Sequence, residues 1–131
     1  MHILVNIDVD DLERAIEFYG NALGLRLGRR LFDGSVAEML GATSPIYLLA
    51  KAAGSRAVAN TALSRDYNRH WTPVHLDFAV HDVSAAAERA VLAGAKLERD
   101  IESFPWGRLA ILSDPFGHGF CLLQFVGGGY E

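Results

Sequence analysis

The chain predicts an α+β fold built from one unit, βαβββ, written twice. Three observations predict it. A period-two apolar alternation over residues 3–9 recurs over residues 74–80. Each alternation is followed by a capped amphipathic stretch that ends at a glycine. Each glycine is followed by three short strand-like runs punctuated by turn residues.

In the first copy Ile3, Val5, Ile7 and Val9 share a strand face, expected to be buried, while His2, Leu4, Asn6 and Asp8 share the other. Asp10 is the expected helix cap with Glu13 reaching back, and Leu12, Ala15, Ile16, Tyr19 and Leu23 form the apolar stripe that Gly24 ends. Strand-like runs follow at residues 25–32, 35–40 and 45–50, with Asp33-Gly34 turning between the first two. In the second copy Val74, Leu76, Phe78 and Val80 face one way and His75, Asp77, Ala79 and His81 the other. Asp82 or Ser84 starts the helix, and Val83, Ala86, Ala87, Ala90 and Val91 form its stripe up to Gly94. Runs at 96–103, 108–113 and 119–125 complete the copy, with a turn at Asp114-Pro115-Phe116-Gly117. The expected layout is a first module at residues 1–51, a connector at 52–71 and a second module at 72–131, together one structural domain. A connector of that length without periodicity reads as a functional loop, a lid or a partly disordered segment.

Composition narrows the function. With 131 residues, half of them hydrophobic, the chain fills a sizeable core in one domain. Twelve Lys and Arg against sixteen Asp and Glu leave a net charge of −4, with no basic run to follow a nucleic-acid backbone or an anionic membrane. A single cysteine, Cys121, excludes an internal disulfide and the paired spacings of structural zinc sites, so a cytoplasmic setting is expected. Residues 1–7 are interrupted by polar groups too early for a secretory segment, and no run approaches the ~20 apolar residues that span a bilayer.

The segment Val9-Asp10-Asp11-Leu12-Glu13-Arg14-Ala15-Ile16-Glu17-Phe18-Tyr19, the turn Leu23-Gly24-Leu25, the strand His75-Leu76-Asp77-Phe78-Ala79-Val80 and the turn Asp114-Pro115-Phe116-Gly117 occur in the order and spacing of the vicinal oxygen chelate superfamily. The chain resembles that group, which includes glyoxalase I, extradiol dioxygenases and bleomycin-resistance proteins. The resemblance implies two βαβββ modules forming a cup-shaped curved mixed sheet, with helices on the outer face, a site on the concave side and a homodimer. It also implies metal ligands from the first and last strands of each module, which carried over by spacing are Leu4, Tyr47, His75 and Cys121. Leucine offers no donor and a phenol must lose a proton of pKa near ~10, so the usual metal set is not expected.

The expected site therefore binds a small organic ligand. Its candidate residues are Leu4, Asn6, Tyr47, Trp71, His75, Asp77, Trp106 and Cys121, with His75 and Asp77 as candidate catalytic groups. Tyr47 and the tryptophans offer rings for stacking, while an acidic Asp77 on an apolar face needs a partner. Against these stand plain readings: a core histidine, cavity-filling aromatics and an inert buried thiol. His70, His81, His118, Arg29, Arg30, Glu98 and Arg99 read as surface groups. The expectation is a metal-independent small-molecule-binding protein of the glyoxalase/bleomycin-resistance type without a cofactor. The alternative is a lyase or dioxygenase with displaced divalent-metal ligands such as His2, His75 and Asp77, or with His75/Asp77 acid–base chemistry. A third is an interaction module whose cup is filled by its own side chains.

Overall fold

In a computed structural model that describes residues 1–131, the chain divides into two units, Met1–Asn68 and Arg69–Glu131. The first unit runs β1 (Val5–Val9), α1 (Leu12–Leu23), β2 (Arg26–Leu31), β3 (Val36–Leu40) and β4 (Ile46–Ala50). Its sheet has the order β1-β4-β3-β2, with β1 and β4 parallel and the other pairs antiparallel. The second runs β5 (Leu76–Ala79), α2 (Val83–Ala93), β6 (Lys96–Leu97), β7 (Glu102–Phe104), β8 (Gly107–Ser113) and β9 (Gly119–Phe125). Here the order is β5-β9-β8-β6 with β7 also on β8, and β5 and β9 are parallel. The fold is α+β with two mixed sheets, as the repeat predicts. Neither helix is long and apolar enough to cross a membrane.

Each helix covers one face of its own sheet. In the first unit Ala15, Phe18, Tyr19 and Ala22 of α1 bury against a core that includes Val9, Ala37, Met39, Ile46 and Leu48. In the second, Val83, Ala87 and Ala90 of α2 meet Ala110, Leu112, Phe120 and Leu122. The register makes the opposite faces equally definite. Asn6, Tyr47 and Glu38 stand side by side across β1, β4 and β3, and Asp77, Cys121 and Ile111 do so across β5, β9 and β8.

Four expectations need correction. The cap of α1 is Asp11, extended at φ −133° and accepting the Arg14 N–H at 3.1 Å; Glu13 instead pairs with Arg30. In α2 the choice falls on Asp82, which accepts the Ala85 N–H at 3.1 Å, while Gly24 and Gly94 end the helices in left-handed geometry as expected. The run at 96–103 splits into β6 and β7, because residues 98–101 oppose only Ala110 and Ile111 of β8, a two-residue bulge. The expected buried face of the first strand loses Ile3, which is exposed, because β1 pairs only from Val5 opposite Ile46, just after Pro45 with no N–H to extend the ladder; Val74 likewise lies outside β5 and is exposed. Residues 51–68 carry no helix or strand, yet they are tied down: Arg65 Nε donates to Asp8 Oδ2 at 2.6 Å, Tyr67 to the Lys51 carbonyl at 2.6 Å, and Arg65 and residues 54–55 exchange two backbone bonds of 2.8 Å.

Candidate functional site

The helix-free face of the second unit carries the densest chemistry. His75 precedes β5 and shares its face with Asp77 two residues on, while the parallel register puts Cys121 directly opposite Asp77. The His75 Nε2 lies 3.2 Å from Asp77 Oδ1, and one donor atom from each of His75, Asp77 and Cys121 falls within 4.8 Å of the others. The imidazole and carboxylate are half-exposed, whereas Cys121 is buried. Burial, and then the neighbouring Asp77 carboxylate, push the thiol up to about 11. A thiol held protonated is the reverse of an activated nucleophile.

Beside this trio opens a cleft of about 190 Å³ lined by Arg69, Trp71, Thr72, His75, Ile111 and Cys121, among others. Arg69 forms one wall. Its Nε and Nη2 each donate to a Glu98 oxygen at 2.8 Å, and Nη1 donates to the His70 carbonyl. This fork raises the Arg69 pKa and lowers that of Glu98. The guanidinium lies on Gly119, where an added Cβ would come within 2.6 Å of Nη2, so the bare backbone makes room for it. Behind that wall His70 and His118 meet ring nitrogen to ring nitrogen at 2.9 Å, and His70 N–H donates to the Gly117 carbonyl. The buried Asp114 caps the turn by accepting from the N–H groups of Phe116 and His118. Trp71 is the open lip, 81% exposed.

The first unit presents a second polar row, of which the sequence named Asn6 and Tyr47 but not Glu38. Glu38 is buried, takes a two-pronged contact from Arg29 at 3.0 and 2.7 Å, and accepts from the Tyr47 hydroxyl at 3.1 Å. The Arg29 hydrogen bond is the largest of the effects that lower the Glu38 pKa. The clue was present in the run Val36, Glu38, Leu40, an acid on an otherwise apolar strand face. Asn6 is exposed in the same row, and Leu4, before β1, is 61% exposed. Trp106 lies elsewhere: it stacks on Phe104 at 5.2 Å with rings 2° from parallel and touches Tyr130, outside the His75 cleft. Of the groups read as surface, Arg29, Arg30, Glu98 and Arg99 are exposed, each in an ion pair, and His81 is exposed; the correction falls on His70 and His118, which are half-buried against each other.

The four carried-over metal positions do not make a divalent-metal set. Leu4 has no donor atom and the Tyr47 phenol is spent on Glu38, whereas His75 and Cys121, joined by Asp77, do bring three donor atoms within 4.8 Å of one another. No buried side-chain nitrogen or oxygen lacks a partner.

The family model described as Glyoxalase-like domain matches residues 4–123. The anthracycline biosynthesis protein DauV of Streptomyces sp. (strain C5) is 33% identical over 125 residues, an alignment covering 92% of this chain and 40% of that protein. The chain thus spans about two fifths of that relative's length. An uncharacterized protein of Mycobacterium bovis is 32% identical over 128 residues, covering 90% of this chain and 79% of that one. Among solved structures, a glyoxalase-related enzyme from Fulvimarina pelagi superposes with a TM-score of 0.73 at 18% identity, covering 98% of this chain and 94% of that chain, a likeness of fold.

Proposed function

Because the chain belongs to the glyoxalase-like family of the vicinal oxygen chelate superfamily, we propose that it is a metal-independent small-molecule-binding protein that takes an organic ligand on the helix-free face of its second unit. The observation that carries the reading is the cleft in which His75, already held by Asp77, stands beside Trp71. A ring, an orienting polar pair and an apolar floor are the parts of a recognition pocket. The likeness to a protein named for anthracycline biosynthesis supports a ligand with a ring system. A donor set lacking at Leu4 and spent at Tyr47 supports binding without a metal. The buried free thiol suits a reducing cytoplasm, and a homodimer completes the proposal.

One observation favours a second reading. The 3.2 Å contact between His75 and Asp77 is the geometry in which a carboxylate orients a general base, so a metal-free enzyme acting through His75 is the rival. Elemental analysis of protein purified without chelators, run beside His75→Ala, tests the proposal together with a thermal-shift screen of ring-bearing compounds. The proposal expects no stoichiometric metal and a melting temperature raised by ligands in the wild type but less in the variant. Metal near one equivalent that disappears with His75 overturns it, and turnover of a bound compound that His75→Ala abolishes moves the protein to the rival class.

A further inference from the structure

The two tryptophans of the chain are used in opposite ways. Trp106 is half-buried and engaged by three rings, those of Phe104, Phe125 and Tyr130. Trp71 lines the cleft but stands largely in solvent, and its indole makes no hydrogen bond and no ring contact. The chain around it is the reverse of loose. On one side the Arg69 guanidinium grips both Glu98 oxygens at 2.8 Å, the His70 N–H donates to the Gly117 carbonyl at 3.1 Å, and the His70 ring meets His118 at 2.9 Å. On the other side the Thr72 hydroxyl donates to the Val74 carbonyl at 2.6 Å. A segment pinned on both sides thus holds out a large apolar ring that the free fold does not use. Resting on the binding reading above, we infer that Trp71 is a one-residue lid that closes on the face of a flat ring system in the cleft. It thereby selects planar ligands over saturated ones of the same size.

The pinned backbone sets the indole at the cleft before a ligand arrives, so only its side-chain rotation remains to be ordered on binding. An exposed side chain changes rotamer in picoseconds to nanoseconds, far faster than a ligand diffuses in. Such a lid leaves entry unhindered and slows exit, which is where affinity differences of this kind fall. An indole laid on an aromatic ring gains a stacking contact beyond the area buried, whereas a puckered ring presents no flat face to it. Ile111 and Cys121 supply the floor, since both line the cleft and stand side by side in register on the face turned away from α2. Planarity is read by the ring face alone, whichever polar groups the ligand carries.

The experiment compares 2-naphthol with decahydro-2-naphthol, two probes with the same ring skeleton and hydroxyl, one flat and one puckered. Each is titrated into the whole chain, Trp71→Ala and Trp71→Phe, and the NMR line shapes of the Gly119 and Cys121 amides report affinity and release rate. The wild type should bind 2-naphthol on the order of tenfold tighter than the saturated alcohol, the worth of one aromatic pair. Trp71→Ala should lose that preference through a release on the order of tenfold faster, with the entry rate unchanged, and Trp71→Phe should keep most of it. The melting temperature of the free protein should stay put in Trp71→Ala and fall in Trp106→Ala. Equal binding of the two probes in the wild type, or a preference that survives in Trp71→Ala, overturns the lid while leaving the cleft standing. A Trp71→Ala chain that melts lower or changes its oligomeric state overturns it as well, because the indole is then already covered by the fold or by a second copy. Amide signals that neither probe moves overturn the cleft reading itself.

Discussion

Across the parallel pair β5 and β9 the Asp77 carboxylate stands opposite the Cys121 thiol and at the same time holds the His75 imidazole, Nε2 to Oδ1, at 3.2 Å. One carboxylate thus governs both neighbours. Burial first, and then this carboxylate, keep the thiol protonated, while the same carboxylate holds the imidazole by its Nε2.

Cys121 should resist thiol reagents. With its pKa pushed up to about 11, about one thiol in a thousand is ionised at pH 8, so alkylation by iodoacetamide should be slow in the native protein and rapid after denaturation. The same shift has a stability consequence with a definite sign. The folded thiol holds its proton to a higher pH than the unfolded one, near 9.0, so its contribution is complete below pH 9 and is lost as pH rises through about 11. Denaturant melts between these values should flatten in Cys121→Ala relative to wild type. Native alkylation as fast as that of the unfolded chain would remove the premise.

Asp11→Ala should destabilise the protein by about 1 kcal/mol through loss of the α1 cap, while Asp10→Ala should cost a few tenths at most. Urea unfolding of the two variants reads the difference directly, and an equal or reversed cost would return the cap to Asp10.

Glu38→Gln should lower the melting temperature more than Glu13→Gln does. Both lose a two-pronged arginine contact, but Glu38 is buried and also accepts from Tyr47, whereas the Glu13–Arg30 pair is exposed on both sides. Since the folded Glu38 pKa is depressed, its stabilisation is present above 4.5 and lost as pH falls through the folded value. The gap between wild type and variant should therefore close on acidification, as paired melts between pH 7 and pH 3 would record.

Gly119→Ala should separate site from stability. Its Cβ would meet the Arg69 guanidinium, the far end of a flexible side chain, so the fold loses a half-exposed ion pair worth about 1 kcal/mol or less. The cleft wall nevertheless shifts, so binding of a ring-bearing compound found by the thermal-shift screen should weaken severalfold while the melting temperature of the free protein barely moves. A large loss of stability with unchanged binding would contradict the placement of Arg69 over Gly119.

The readable part of this protein was local. Period-two alternation at 3–9 and 74–80, glycine stops at Gly24 and Gly94, and the recurrence of one unit are properties of neighbouring residues, and they sufficed for an α+β chain of two copies. His75 and Asp77 were readable as a pair for the same reason, because two residues apart on one strand means one face. Pairings between distant segments were not readable. Glu38 with Arg29 and Tyr47, Arg69 with Glu98 over Gly119, and His70 with His118 depend on which residue of one strand or loop lies against which of another. A shift of one residue in register turns every side chain to the other face, and bulges such as the one at 98–101 make such shifts without a mark in the periodicity. Alternation tells a residue which side of its own strand it occupies. Only the assembled sheets supply its neighbours, and with them the hydrogen bonds and ion pairs from which the site's chemistry follows.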